Sequence, residues 1–144
     1  MRFRYSLQKI LDLKHNEKKQ AEWLLSDALD RLRKEEHSLA ELENIRKTLQ
    51  DMMQQAASRS VPVHELQNIQ EYLHHIDRKI REKHEDVERA QGNVQLRRQG
   101  LAEKMKEEKV WNRAREHAYE RFLLQLRRKE QQELDEMAAT RASG

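Results

Sequence analysis

The sequence predicts an all-α protein: two long helices folded back on each other as an antiparallel coiled-coil hairpin, the second longer than the first. Three observations carry that prediction. Apolar residues recur at alternating steps of four and three over two long stretches, which is the period of a left-handed supercoil. The one proline of the chain, Pro62, falls between those stretches. The 144 residues are 38% charged and 36% hydrophobic, with 3 Gly, a balance that suits long solvated helices better than a compact core.

The first stretch starts at Leu7 and continues through Leu11, Lys14, Lys18, Ala21, Leu25, Ala28, Leu32, Glu35, Leu39, Leu42, Arg46, Leu49, Met53 and Ala56; eleven of these fifteen positions are apolar. A helix from about Tyr5 to Ala57 is expected, roughly 80 Å long at 1.5 Å per residue. The break spans Ser58 to Pro62. Proline lacks the amide hydrogen for an intrahelical bond and pushes the residue before it out of helical geometry, and Ser58 and Ser60 are the expected caps of the helix that follows.

The second stretch runs through Leu66, Ile69, Leu73, Ile76, Ile80, Lys83, Val87, Ala90, Val94, Arg97, Leu101, Lys104, Glu108, Trp111, Arg115, Ala118 and Phe122, with twelve of seventeen apolar. It predicts a helix from about Val63 to Ala139, roughly 115 Å long. Gly92 and Gly100 each cost its interior about 1 kcal/mol relative to alanine. Residues 140–144 are small and polar and are expected to fray. The whole chain is expected to be one elongated unit, not two domains.

A turn near residue 60 sets Leu49 against Ile69 and Leu73, Leu42 against Ile76 and Ile80, Leu32 against Val87, and Leu7 against Trp111. Past about residue 116 this register leaves the second helix without a partner, yet that overhang carries Tyr119, Phe122, Leu123, Leu124 and Leu126. Large apolar side chains at such density predict a binding surface; the alternative is that the segment packs back on Phe3, Tyr5 and Leu7, and the two are compatible, since Phe3 and Tyr5 can cover part of Tyr119 and Phe122 while the far tip stays free. The charged seam residues Lys14, Lys18, Glu35, Arg46, Lys83 and Arg97 weaken the apolar packing and in exchange either fix the register, leave the pair able to bend and twist, or lay their stems across the seam with charges in water.

The same composition argues against several functions. Without cysteine there is no disulfide, thiolate metal site or thiol nucleophile. Gly92, Gly100 and Gly144 are isolated, so no phosphate-cradling loop is present and no catalytic role is expected. His84-Glu85-Asp86-Val87-Glu88 starts like a zinc-protease helix but has Glu88 where the second histidine belongs, and the register turns Val87 rather than His84 to the seam; no metal or other cofactor is expected. The net charge is only +3 despite a pI near 9.2, with acidic residues interleaved throughout, which disfavours nucleic acid. From Arg97 to Lys129, however, eleven Lys and Arg stand against five Glu, a local net of +6, followed by Glu130, Glu133, Asp135 and Glu136. No uninterrupted apolar segment resembles a signal sequence or a membrane span of about 18 residues, so a soluble, cytoplasmic protein without direct membrane insertion is expected.

The opening Phe3-Arg4-Tyr5-Ser6-Leu7-Gln8-Lys9-Ile10-Leu11-Asp12-Leu13 and the closing Gln131-Gln132-Glu133-Leu134-Asp135-Glu136-Met137-Ala138, on a hairpin of this size, resemble the FliJ family of flagellar export proteins. The resemblance implies a stalk like the gamma subunit of rotary ATP synthases, whose free ends enter and stimulate a hexameric flagellar export ATPase. It also implies contact with the cytoplasmic domain of the membrane export gate, escort of export chaperones, and a place at the inner face of the cell membrane at the flagellar base. The ring-facing residues would be Phe3, Tyr5, Leu7, Arg113, Tyr119, Phe122, Leu123, Leu126 and Arg127. The gate-facing set would be Leu42, Ile45, Leu49, Tyr72, Ile76 and Lys79. Of these, Leu42, Leu49 and Ile76 also sit on the expected seam, where mutual packing is the competing role; Ile45 and Tyr72 lie off it. Two other readings fit the same residues: the equivalent stalk of a virulence-type secretion system, and a generic scaffold, for example an antiparallel dimer formed through the overhangs.

Overall fold

The computed structural model describes residues 2–143 and contains two helices, α1 (Gln8–Ser58) and α2 (Val63–Ser143). The fold is all-α, a helical hairpin whose second helix is the longer, as the heptads predict.

α1 begins at Gln8 rather than at Tyr5. Arg2 to Tyr5 form no helix, and the first turn is closed by backbone bonds from Gln8 N to the Tyr5 carbonyl and from Leu11 N to the Leu7 carbonyl, both 3.1 Å. Gln8 also donates to Asp12 Oδ1 at 3.0 Å across the first turn. At the other end the Ser58 hydroxyl donates to the Gln55 carbonyl at 2.8 Å, and Arg59 N reaches the Ala56 carbonyl at 3.3 Å. Ser58 thus closes the first helix instead of capping the second, because carbonyls left free at a helix C-terminus lie within reach of its own short side chain. Pro62 starts the second helix, its carbonyl accepting from Glu65 N at 3.1 Å. α2 then continues without interruption through Gly92 and Gly100 to Ser143.

The structure divides into two compact units, residues 22–100 and residues 2–21 with 101–143. In the first, α1 and α2 pair antiparallel around Ala28, Leu49, Ile76, Val87 and Val94, all buried and all on the heptad seam. Ala28, the most deeply buried, has the smallest side chain of the set. Charged residues at the margins are matched across the pair: Lys83 bonds Glu35 at 2.9 Å and Arg46 bonds Asp77 at 2.6 Å. Lys83 also reaches Asp86 at 3.5 Å, and Asp86 is paired again by Arg89. The hydrogen bond to Glu35, more than the attraction of Asp86, holds the Lys83 ammonium above the ordinary lysine pKa. Of the seam charges in this unit, Glu35, Arg46 and Lys83 thus meet opposite charges across the pair.

In the second unit Leu11 is the buried apolar residue, and charge supplies much of the remaining order. Lys14 and Lys104 alternate with Glu17 and Glu107 in a closed ring of contacts at 3.3 to 3.6 Å. Beside it, Glu108 is shared between Lys18 at 3.2 Å and His15 at 3.1 Å.

Candidate functional site

The ring-facing set of residues gathers in the second unit. The nonhelical segment before Gln8 brings Phe3 onto α2, with its ring centroid 5.1 Å from Tyr119 and 5.4 Å from Phe122. The Phe3–Tyr119 contact is edge-on at 70°, the arrangement that sets a positive ring edge on a negative ring face. Arg115 lies over Phe3 at 6.0 Å and donates from Nε to Gln8 Oε1 at 3.2 Å. This arm corrects the expectation that α2 lacks a partner beyond residue 116. Phe3 and Phe122 are half-buried by each other, as are Tyr5, Leu123 and Leu126 by their surroundings, while Tyr119 keeps 45% of its surface exposed.

Past Leu126 every described residue of α2 is exposed. Leu124 at 52%, Leu134 at 59% and Met137 at 56% are large apolar side chains open to water on a helix end that no other element among the described residues covers. Arg113 and Arg127 are exposed, as is Leu7. The charges of this helix end are balanced, Arg127, Arg128, Lys129 and Arg141 standing against Glu130, Glu133, Asp135 and Glu136.

The gate-facing set lies in the other unit and separates into two kinds. Ile45, Tyr72 and Lys79 are exposed, and Tyr72 stacks on His75 with centroids 6.3 Å apart. Leu49 and Ile76 are buried and Leu42 is half-buried. The burial of Leu49 and Ile76 fits the seam role that their heptad positions also allow, packed against the facing helix. An open surface of about 770 Å³ lies along the other margin of this unit, lined by Glu43, Arg46, Gln50, Asp77 and His84. Of its lining, Arg46 and Asp77 are paired with each other.

Sequence periodicity missed three features. Trp23, Leu96 and Val110 are exposed on outward helical positions, where they have no heptad signal. The pairing choices in the ring of Lys14, Glu17, Lys104 and Glu107 depend on side-chain conformations that spacing does not encode. The docking of Phe3 involves a nonhelical segment to which no period applies. Among the described residues no cluster of three or more His, Cys, Asp or Glu is placed to hold a metal, and no helix is long and apolar enough to cross a membrane.

The ion pairs have a pH signature. The hydrogen bond from Lys14 holds the Glu107 carboxyl below its ordinary pKa; for Glu108, burial pushes upward but the hydrogen bonds from Lys18 and His15 outweigh it, and the net shift is also downward. The hydrogen bond to Glu17 holds Lys104 above the ordinary lysine value. A lowered carboxyl contributes stability above its unfolded pKa and loses it as pH falls through the folded value; a raised ammonium contributes below its unfolded pKa and loses it as pH rises through the folded value. Both contributions are complete between the ordinary glutamate and lysine ranges. Thermal melts followed by circular dichroism should show a midpoint that falls on acidification below the ordinary glutamate range, and falls less in a Glu107→Gln, Glu108→Gln variant. An equal fall in both proteins would remove these pairs from the acid response. The groups are partly exposed, so the effect is modest and shrinks with salt.

The fold is a two-helix antiparallel hairpin with ion-paired margins. Residues 3–144 match the model of the flagellar FliJ protein family, and the chain belongs to that family, the helical proteins of flagellar type III export. A solved structure described as a YscO homolog from Chlamydia trachomatis shares the fold with a TM-score of 0.75 at 21% identity, the match covering 95% of this chain and 93% of that one. No curated protein matches.

Proposed function

We propose that this protein is a non-catalytic stalk of the flagellar export apparatus: the segment around Phe3 and the uncovered end of α2 lodge in a hexameric export ATPase, stabilise its ring and raise its ATP turnover. The observation that carries the reading is the exposure of Leu124, Leu134 and Met137 on a helix end with no internal partner, in a member of a family of flagellar export proteins. Large apolar side chains are exposed elsewhere on the chain too, Trp23 and Val110 among them; those at the end of α2 lie past the last half-buried positions, where a partner's cover would stabilise them. Tyr119, Phe122, Leu123 and Leu126 would supply the apolar contact, and Arg113 and Arg127 the charge that orients it. Family membership also supports contact with the cytoplasmic domain of the export gate, for which Ile45, Tyr72 and Lys79 are the accessible residues, and escort of export chaperones along the same scaffold. Such a protein would work in the cytoplasm, against the inner face of the membrane at the flagellar base.

The test is ATP hydrolysis by the hexameric ATPase titrated with this protein. Stimulation that saturates near one chain per hexamer supports a central stalk; turnover indifferent to the added chain overturns it. The fold likeness to a YscO homolog favours as the second reading the corresponding stalk of a virulence-type system, which would stimulate that system's ATPase in preference to the flagellar one.

A further inference from the structure

Leu123, Arg127, Glu130, Leu134, Met137 and Arg141 follow one another at steps of four and three, so they share one face of α2. Five of the six are exposed and Leu123 is half-exposed. Their charge is ordered along the helix: Arg121, Arg127, Arg128 and Lys129 come first, then Glu130, Glu133, Asp135 and Glu136. The ion pairs among the described residues engage none of these eight.

We propose that this face binds the same face of a second copy of the chain, antiparallel, about a twofold axis passing between Arg128 and Lys129. In that register Arg127 of each copy meets Glu130 of the other, Leu123 meets Leu134, Arg141 meets Glu116, and Met137 meets Glu120, a mismatched layer. The twofold axis makes each contact occur twice. A parallel pairing would instead stack Arg127 on Arg127 and Glu130 on Glu130, so the charge order itself selects the antiparallel one. Few other partners would answer a basic segment, an acidic segment and a leucine in each with a single surface. Apolar layers at Leu123 and Leu134 supply attraction, while the central Arg127 and Glu130 layers lose hydration for their pairing. The result is a weak, salt-sensitive dimer rather than an obligate one. Pairing covers Leu123 and Arg127, so a dimer cannot offer these residues to an ATPase ring, and binding to the ring must separate the copies.

Sedimentation equilibrium of the full chain tests this without any ATPase, so its failure leaves the stalk reading standing. The wild type should show concentration-dependent dimerisation at low salt that weakens at high salt. Arg127→Glu and Glu130→Arg should each raise the dissociation constant by at least about tenfold, since each places like charges opposite one another. The double variant Arg127→Glu, Glu130→Arg should recover dimerisation, because it reverses both partners of every pair. Circular dichroism checks that all four proteins are equally helical. A wild type that stays monomeric at every concentration overturns the proposal. So does a dimer that the single reversals leave intact, or one that the double reversal does not restore.

Discussion

Replacing both Phe122 and Leu126 by aspartate should abolish stimulation of the export ATPase while leaving the far-ultraviolet helix signal unchanged. Both side chains are half-exposed on the part of α2 where internal packing ends, so two new carboxylates there can stay hydrated and cost the fold little. In a complex they would have to be desolvated against the ring. Losing two apolar anchors worth about 2 kcal/mol each weakens binding by several hundredfold. Phe122 also touches Phe3, so its replacement releases the N-terminal arm as well as the docking face. Leu126→Asp alone, placed beyond the aromatic trio, separates the two effects and should by itself remove most of the stimulation. Undiminished stimulation by the double variant would take this end of α2 out of the mechanism.

The second large effect concerns stability. Ile76 is 3% exposed between the helices, and truncating it to alanine removes buried methyl groups and leaves a void, at a cost of roughly 2–5 kcal/mol. Ile45→Ala, on the exposed margin of the same unit, should change stability by no more than about 0.5 kcal/mol. Urea unfolding curves of the two variants distinguish a seam residue from a surface residue directly. Equal midpoints would contradict the burial of Ile76 and return it to the gate-facing set. Loss of gate binding in Ile76→Ala would reflect a loosened hairpin, whereas the same loss in Ile45→Ala would reflect a lost contact.

The contrast between Ile76 and Ile45 shows how far the sequence could be read. The heptad period identifies the seam because every core position must face one partner helix, and that constraint repeats along the chain: Leu11, Ala28, Leu49, Ile76, Val87 and Val94 are buried where the period places them. Pro62 marks the turn because its chemistry is local. Ser58 bonds backward instead of forward because both helix ends offer unsatisfied backbone groups, and residue type alone does not choose between them. The docking of Phe3 on Tyr119 and Phe122 was legible only as one of two alternatives, since a nonhelical segment has no period to set its direction. The seam positions of Leu49 and Ile76 were visible in the heptads, and both are buried there.

The central claim is that the uncovered end of α2 is the surface held by a hexameric export ATPase. Placing a photoreactive amino acid at Leu124 or Met137, and in a separate protein at Trp23, tests it most directly. All three side chains are exposed, so differences in yield report contact with the ATPase and not accessibility. Crosslinks to residues lining the pore of the ring from Leu124 and Met137, and none from Trp23, are the predicted result. Equal yields from all three positions, or crosslinks from Trp23 alone, would contradict it.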